Sequence, residues 1–417
     1  MTGHIYNGRT PTLKFGAVYG ANGAGKSNLI RAFEFLKTFC KSPQAFSSLS
    51  ALRHWYKANR FMLPVREGKS PISLMVEFSK KGRAYIYNVE IGESGVSLEE
   101  LYESGEGHKN NKLIMRRTLR EISFPQTEVP KAIIDLFHRQ IRVAPYASAI
   151  ALNGNLRMVN DSRTIDAYKW FKDDLITIRK NRNLPELINI FCTNTSFKTY
   201  VNDVFTQIGL GIKEVDVEER GFEDWLAELD DEEREQLATQ HLPSGPDKAL
   251  VRIAEDLPEL SIREKDGQRL VDELLFRQYG LSGYIGEMKI QAQSDGTTRL
   301  LTLMPLFYQA TNRDDACVVI DELDNGIHPK LMQGIIRFFG ASKTKGQVIF
   351  TTHESSLLDQ QRLLRPDETW IVDKAEGTSD IYSFNAFKLH NTLSMENGYM
   401  EGRFGGVPKI TLKADEN

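Results

Sequence analysis

Residues 13–39 read LKFGAVYGANGAGKSNLIRAFEFLKTF and combine three local patterns in a fixed order. The apolar run 13–19 predicts a short buried strand, and GANGAGKS at residues 20–27 matches the pattern GxxxxGK(S/T). The residues that follow place apolar side chains at helical spacing. A strand, a glycine-rich turn and a helix in this order are the context that a phosphate-binding loop requires, so we predict such a loop here.

Each kind of residue in this loop has its own chemical task. The glycines let the backbone wrap phosphates with its N–H groups pointing inward, and the helix N-terminus adds partial positive charge. Lys26 is expected to reach the β- and γ-phosphates, and the Ser27 hydroxyl to ligate Mg²⁺. The predicted nucleotide-binding residues are Gly20, Ala21, Asn22, Gly23, Ala24, Gly25, Lys26, Ser27 and Asn28.

The last third of the sequence alternates helical patterns with apolar strands. SDGTTRLLTLMPLFYQAT (294–311) and HPKLMQGIIRFFG (328–340) read as helices, whereas ACVVIDE (316–322) and GQVIFTTHE (346–354) read as strands. Near-continuous apolar strands between helices predict a parallel sheet that is covered on both faces.

Polar residues with catalytic potential end both of these strands. Asp321 is expected to hold Mg²⁺, mostly through water, and Glu322 to orient and deprotonate an attacking water. Taken alone, two carboxylates at a strand end are more often part of a solvated turn, and the phosphate loop upstream is what favours the functional interpretation. His353 is expected to contact a γ-phosphate, the alternative being a structural histidine.

A further anion site is expected where Ser294 and Gly296 open a helix with free N–H groups. The alternative is a simple capped helix start.

The remaining chain suggests three regions. Alternation over 72–98 predicts an antiparallel meander, so residues 1–100 form the first part of a nucleotide-binding domain. Residues 101–284 read as a mainly helical insertion that also contains strands, with a hairpin at Asp266 and Gly267 and a loop at 243–246. Residues 285–417 form the second part of the domain.

Composition is that of an ordinary globular protein, with 417 residues, 41% apolar residues and a net charge of −3. The three cysteines predict buried thiols in a reducing cytoplasm rather than disulfides or a zinc site. We expect a cytoplasmic location because neither a signal peptide nor a membrane span is evident in the sequence.

Two charged stretches are candidate contact surfaces. The basic residues Arg116, Arg117 and Arg120 are expected to form a solvated face, with nucleic-acid contact as the alternative. The acidic stretch Glu214 to Glu235, with a tryptophan at position 225, is expected to be an exposed helix, with partner docking as the alternative.

The order of phosphate loop, SDGT helix start, IDE and TTH resembles the ABC-type ATPase superfamily, which includes the SMC and RecF-like DNA-repair ATPases. More narrowly, the chain resembles AAA-family ATP-binding proteins related to the OLD nucleases, the ATPase components of bacterial anti-phage and abortive-infection operons of the RloA/AbiL and PARIS types. This narrower likeness rests on YGANGAGKSNLIRA (19–32), SDGTTRLL (294–301), DELDNGIHPKL (321–331) and the tail YMEGRFGGVPKI (399–410).

The resemblance implies a P-loop NTPase of ABC-ATPase type with a β meander and a largely helical insertion. It implies that Ser294 and Gly296 act in trans on the γ-phosphate of a second copy, and that His353 is a switch residue. Asp324 and Asn325 would lie in a loop that couples the two sites, and His328 would have a structural or coupling role. In this chain, the first strand that the family carries before the phosphate loop is missing or shortened.

The function expected from this resemblance is an ATP- and Mg²⁺-dependent sensor or scaffold of bacterial anti-phage defence. Its partners would be a second copy or a larger homo-oligomer and a separately encoded effector, expected to be a nuclease; DNA or RNA is a further candidate partner, and a membrane is not. The alternative is a RecF/SMC-like DNA-repair ATPase, and a third reading is the ATPase subunit of a transporter.

Overall fold

The structure is a computed structural model, and it describes residues 5–6, 11–60, 70–105, 110–178, 184–238, 249–251, 260–358, 363–387 and 394–408. The strands are β1 (Ile5–Tyr6), β2 (Thr12–Leu13), β3 (Phe15–Gly20), β4 (Ile72–Lys80), β5 (Arg83–Gly92), β6 (Gly95–Glu103), β7 (Lys112–Thr118), β8 (Ile122–Ser123), β9 (Leu175–Ile178), β10 (Ile212–Gly221), β11 (Ala249–Val251), β12 (Leu260–Lys265), β13 (Gln268–Tyr279), β14 (Ile285–Lys289), β15 (Cys317–Ile320), β16 (Gln347–Thr351), β17 (Thr369–Ala375) and β18 (Thr378–Ser383).

The α-helices are α1 (Lys26–Lys41), α2 (Leu49–Asn59), α3 (Lys131–Val143), α4 (Ala149–Leu156), α5 (Ser162–Lys169), α6 (Leu184–Thr193), α7 (Thr195–Gln207), α8 (Phe222–Glu228), α9 (Asp231–Ala238), α10 (Asp295–Asn312), α11 (Pro329–Ala341) and α12 (Met395–Met400). The chain divides into two compact units. The first contains Met1–Arg179, Ala310–Glu322 and Lys343–Asn417, and the second contains Lys180–Gln309 and Leu323–Ser342.

The first unit is built on a six-stranded sheet of order β18-β17-β3-β16-β15-β9. Neighbouring strands from β9 to β17 are parallel, whereas β18 pairs antiparallel with β17. Strand β3, from the start of the chain, lies between β16 and β17 from its last third, so both ends of the chain form one sheet. This mixed α/β architecture confirms the predicted fold class.

The predicted strand and helix around the phosphate loop form as expected because both are anchored in the core. Strand β15 is buried at all four positions, as expected for a parallel strand covered on both faces. Helix α1 contributes Ile30, Leu36 and Phe39 to the same apolar cluster as the meander strands.

The predicted meander consists of β4 to β8 in sequential antiparallel order. Its apolar face packs on the segment before β9, where the rings of Phe78 and Trp170 stack with centroids 4.2 Å apart. The sheet continues through β7 and β8, past the boundary expected at residue 100.

The structure corrects the expected insertion over 101–284 in two respects. Strands β7 and β8 extend the meander, and β9 is the edge strand of the central sheet, paired in parallel with β15. Helices and strands both occur in the remainder. Strand β9 is only four residues long, three of them apolar, which is too short for periodicity to separate a strand from a buried helix.

The second unit contains a sheet of order β10-β13-β12-β11, with β14 also paired to β13. The hairpin predicted at Asp266 and Gly267 is confirmed, and both residues have the positive φ, 53° and 77°, that a tight two-residue turn needs. The loop expected at 243–246 lies outside the described residues.

The acidic stretch is not a single exposed helix. Its first part is β10, and its second part is α8 and α9. Trp225 is buried in a small apolar cluster with Phe222 and Val271 because the helix α8 lies against the sheet.

The basic stretch is also corrected, because Arg117 is completely buried in the first unit. Its Nη1 lies 4.0 Å from Glu99 Oε2, and its Nη2 donates to the Pro145 carbonyl at 2.9 Å. Burial lowers the pKa of Arg117, and the Glu99 carboxylate opposes that shift. Arg117 is therefore neither part of a solvated face nor accessible to nucleic acid, whereas Arg116 is half-exposed beside Glu100 at 3.4 Å.

Glu99 is the polar centre of this buried region. Its carboxylate accepts hydrogen bonds from Ser148 Oγ at 2.8 Å and from the N–H groups of Ala149 and Ile150 at 2.8 and 3.2 Å. The hydroxyl of Tyr87 donates a further bond at 3.0 Å. These two N–H groups belong to the first turn of helix α4. Glu99 therefore stabilises the start of this helix in addition to pairing with Arg117.

Cysteine burial follows the expectation for two of the three thiols. Cys40 and Cys317 are buried, and burial raises the pKa of Cys317 to about 12. Cys192, on α6, is exposed, which corrects the expectation of three buried thiols. Within the described part of the chain, no helix is long and apolar enough to cross a membrane.

Replacing Glu99 should strongly destabilise the first unit. In Glu99→Ala, four buried donors and the Arg117 guanidinium lose their shared acceptor, so we expect the free energy of unfolding to fall by about 3–5 kcal/mol. Urea denaturation measures this change. The matched control is Glu100→Ala on the same strand, which should cost less than about 1 kcal/mol because its partner Arg116 is solvated. Equal losses in the two variants would contradict the role given to Glu99.

Candidate nucleotide-binding site

The phosphate loop connects the end of β3 to the start of α1. Gly20, Gly23 and Gly25 have φ values of 154°, 76° and 118°, which L side chains rarely adopt. Helix α1 begins at Lys26, and its N-cap Gly25 provides no side-chain cap. The first N–H groups of α1 therefore meet the loop without a capping side chain, which is the arrangement that favours an anion.

Gly20 is required by a close backbone approach. A Cβ at this position would lie 2.5 Å from the carbonyl oxygen of Val372 on β17, too close for any side chain. The loop is also attached to β18, where Ser379 Oγ donates to the Ala24 carbonyl at 2.6 Å. The packing of this segment on β17 and β18 therefore gives a physical reason for the glycine-rich sequence from which the loop was predicted.

Lys26 is held against the loop backbone. Its side chain is largely buried, and Nζ donates to the carbonyl oxygens of Gly20 at 2.6 Å and Ala21 at 3.2 Å. The ammonium group is thus kept inside the loop, where it can be redirected to phosphate oxygens. Ser27 is partly exposed at the same helix start, and the exposed Asn28 accepts a bond from Arg31.

The carboxylates Asp321 and Glu322 follow β15 at the same edge of the sheet as the loop. In the parallel registers, Ile320 pairs with Phe350, and Thr351 pairs with Val18 two residues before Gly20. Since neighbouring strands are about 4.8 Å apart, the ends of β15 and β3 are separated by two strand spacings, about 10 Å. The sequence prediction that these motifs share one edge therefore agrees with the sheet.

Thr351 joins the two carboxylate residues. Its hydroxyl donates to Asp321 Oδ1 at 2.6 Å and accepts from the Glu322 N–H at 2.8 Å. Thr351 is completely buried, Asp321 is 8% exposed and Glu322 is exposed. Glu322 also has a φ of 50°, so its backbone is in the left-handed region that disfavours a side chain.

Sequence reasoning placed Thr351 at the end of a strand but gave it no role. A hydroxyl residue one strand away from paired carboxylates is the only sequence signal for it, and the register that brings them together is a tertiary property.

His353 lies in the turn after β16 and is exposed. The turn is fixed by two bonds next to it, since Glu354 N–H donates to Thr352 Oγ1 at 3.0 Å and Tyr19 Oη donates to the Glu354 carbonyl at 3.2 Å. Tyr19 directly precedes the phosphate loop. The His353 turn and the loop are therefore attached to each other through β3.

The residues at this edge fit a nucleotide with Mg²⁺. The loop supplies backbone N–H donors and one buried ammonium group, and Ser27 and Asp321 supply the hard oxygen ligands that Mg²⁺ prefers. Among the described residues, no three His, Cys, Asp or Glu side chains are grouped as a metal-binding cluster.

The predicted trans-acting residues lie in the second unit and are described by themselves. Ser294 caps α10, where its Oγ accepts from the Thr297 N–H at 3.2 Å. Gly296 is needed because a Cβ there would lie 2.9 Å from the Gly326 carbonyl. The SDGT helix start therefore contacts the loop that contains Asp324 and Asn325.

His328 has a structural contact at the start of α11. Its Nδ1 accepts from the Lys330 N–H at 3.1 Å, and Pro329 occupies the first helical position.

The fold is that of a P-loop ATPase domain. A protein-family comparison matches residues 15–359 to the family described as "AAA domain, putative AbiEii toxin, Type IV TA system". This match covers well over half of the 417 residues, so the chain belongs to this family. A comparison with curated proteins found no match.

Among solved structures, the similar ones include heads of SMC proteins. One is the Smc head bound to the C-terminal winged-helix domain of ScpA, at 13% identity and a TM-score of 0.43, covering 92% of both chains. The SMC head domain from Thermotoga maritima is 12% identical over 91% of this chain and 95% of that chain, with a TM-score of 0.35. At TM-scores this low, the likeness carries no weight for function.

Removing the Thr351 hydroxyl should disturb both carboxylates without unfolding the site. In Thr351→Val, which keeps the side-chain shape, we expect Mg²⁺-dependent ATP hydrolysis to fall by about 10–100-fold, in line with the loss of a positioning contact. Thr351→Ser keeps the hydroxyl and should retain most of the rate. Steady-state phosphate release measures both variants, and equal rates for valine and serine would contradict the bridge.

Proposed function

We propose that this chain is an ATP-binding and ATP-hydrolysing switch. One observation carries the proposal: the carboxyl ends of β3, β15 and β16 meet at one edge. A glycine loop with a buried lysine lies there together with Asp321 and Glu322, and the Thr351 hydroxyl bonds the carboxylate of Asp321 and the backbone N–H of Glu322. Ligands of open α/β sheets bind at this edge. Membership of an AAA-domain family supports the same conclusion.

The roles proposed for the residues follow from their chemistry. Loop N–H groups and Lys26 bind the phosphates, and the Ser27 hydroxyl and Asp321 hold Mg²⁺, which supplies charge neutralisation when bound. Glu322 is exposed at the edge and accepts a proton from the attacking water through its carboxylate. Thr351 orients the Asp321 carboxylate and holds the backbone of Glu322, and His353 contacts the γ-phosphate.

The site is proposed to be completed by a second copy of the chain. Ser294 and Gly296 form a capped helix start whose N–H groups suit a phosphate, and they are proposed to act on the γ-phosphate bound by the partner. The loop with Asp324 and Asn325 touches this helix start through Gly326, which supports its proposed role in coupling two sites. ATP binding then favours a closed dimer or a larger assembly, and hydrolysis releases it.

The Glu322→Gln variant tests this shared site. It keeps the size of the side chain but not its basicity, so ATP should bind, the dimer should persist and hydrolysis should fall by more than about 100-fold. Size-exclusion chromatography with light scattering, with and without ATP and Mg²⁺ at micromolar protein, measures the assembly.

The control for that experiment is Lys26→Ala, which should lose ATP binding and stay in the nucleotide-free state. Monomeric behaviour of Glu322→Gln with ATP would overturn the shared site, and unchanged ATP binding and turnover in Lys26→Ala would overturn the ATPase itself.

The biological setting that we propose is a bacterial anti-phage or abortive-infection system, in which the chain is a sensor or scaffold. The family description refers to a putative toxin of a Type IV TA system, and the proposed switch is suited to gating a separately encoded effector such as a nuclease. The burial of Arg117 removes one of the three arginines of the basic stretch from consideration as a nucleic-acid contact.

Phage challenge tests this setting. Bacteria that carry the chain with its neighbouring genes should reduce phage plating by at least about tenfold, and Lys26→Ala should abolish that reduction because the switch cannot bind ATP. Equal plating of wild type and variant across several phages would contradict the defence role. Tight, salt-sensitive binding of duplex DNA by the purified chain would instead favour a DNA-repair ATPase.

A further inference from the structure

We call the C-terminal segment Ser394–Pro408 the strap. It belongs to the first unit and lies next to the residues at the start of the phosphate loop. It begins with α12 and continues through the sequence EGRFGG, in which Gly402, Gly405 and Gly406 have φ values of 76°, 74° and 69°. Two aromatic side chains of the strap are buried, since Tyr399 is 7% exposed and Phe404 is 6% exposed. The last two residues of the tail motif, at positions 409 and 410, lie outside the described residues.

Tyr399 connects the strap to the start of the phosphate loop. Its ring meets Tyr19 edge to face, with centroids 5.6 Å apart, and its Oη donates to the Gly406 carbonyl at 3.1 Å. Burial raises the pKa of Tyr399, and the nearby Gly20 backbone opposes that rise. Gly20 is the residue whose carbonyl binds the Lys26 ammonium group at 2.6 Å.

The two adjacent glycines of the strap allow this approach. A Cβ on Gly406 would lie 2.5 Å from Ile371 Cγ2 and 3.5 Å from Gly20 Cα, so a side chain would push the strap away from the loop. A Cβ on Gly405 would lie 2.5 Å from Tyr382 Oη. The Gly406 N–H donates to Asp373 Oδ1 at 2.9 Å, which attaches the strap to β17.

The strap also reaches the turn that carries His353. Ser355 Oγ donates to Glu396 Oε1 at 2.7 Å, and Ser355 is two residues beyond His353. One short segment therefore contacts both the loop proposed to bind phosphate and the turn proposed to contact the γ-phosphate.

We propose that the strap is part of the nucleotide switch, with Tyr399 as a positioning residue for the phosphate loop and Glu396 as a positioning residue for the His353 turn. The proposal rests on the proposed ATPase function and extends it to a segment with no other assigned role. Tyr399 sets the conformation of Gly20 and therefore of the Lys26 ammonium group. Glu396 restrains the turn and therefore affects turnover more than affinity.

The first test measures the loop itself in the nucleotide-free protein. In Tyr399→Phe the ring and its packing remain, but the hydroxyl no longer holds the Gly406 carbonyl. The strap therefore loosens against Gly20, and hydrogen exchange of amides in 20–28 should accelerate about three- to tenfold, the effect of one net hydrogen bond. The matched control is Tyr382→Phe, which removes a hydroxyl that donates to the Phe404 carbonyl of the same strap at 2.7 Å. It should leave exchange in 20–28 unchanged.

The second test uses a fluorescent ATP analogue with Mg²⁺, together with the rate of phosphate release. Tyr399→Phe should weaken nucleotide binding about three- to tenfold, whereas Glu396→Ala should lower turnover at saturating ATP by a similar factor and leave affinity within about twofold. A purely structural strap would instead lower the melting temperature of the variants and of Tyr382→Phe alike, without separating affinity from turnover.

The outcomes separate the strap from the ATPase. If exchange accelerates in Tyr399→Phe but the wild type binds no nucleotide, the strap stabilises the loop and the ATPase function is refuted. Normal binding by the wild type with unchanged exchange and affinity in Tyr399→Phe would refute the strap proposal and leave the ATPase function standing.

Discussion

The close approach of the Gly20 backbone to Val372 is the constraint on which the rest of the site depends. Parallel pairing brings Gly20 level with Val372, and a Cβ would lie 2.5 Å from the neighbouring carbonyl oxygen. With glycine at this position, the chain can leave β3, turn through the loop and begin α1. The first N–H groups of α1 are then left without a capping side chain. The buried Lys26, the packing of α1 in the core and the contact with Tyr399 all follow from that turn.

The sequence predicted those parts of the structure that are determined by local pattern. The strand, loop and helix around Gly20–Ser27 and the meander each combine a clear period with turn residues. The hairpin at Asp266 and Gly267 was readable because only a few residue types tolerate positive φ at both positions. Alternation of helices and apolar strands also predicted the parallel sheet, which is why Asp321 and Glu322 were expected at the same edge as the loop.

The sequence could not predict features that depend on tertiary register. Strand β9 is too short to show a period, and Arg117 reads as a surface cation until Glu99 on the neighbouring strand is seen to neutralise it. The bridge from Thr351 to Asp321 joins positions thirty residues apart. The tail YMEGRFGG was recognised by resemblance only, because a segment without periodicity does not reveal which surface it covers.

The left-handed backbone of Glu322 has a consequence for the balance between stability and activity. Its φ of 50° costs a residue with a Cβ roughly 1 kcal/mol relative to glycine, and the bond from its N–H to Thr351 holds the conformation in place. The fold alone would be better served by glycine or asparagine at this position. In the role proposed for Glu322, this strain is the cost of placing a carboxylate at the site. A more stable version of this protein is therefore expected to arise most easily by replacing the side chain that is proposed to be catalytic.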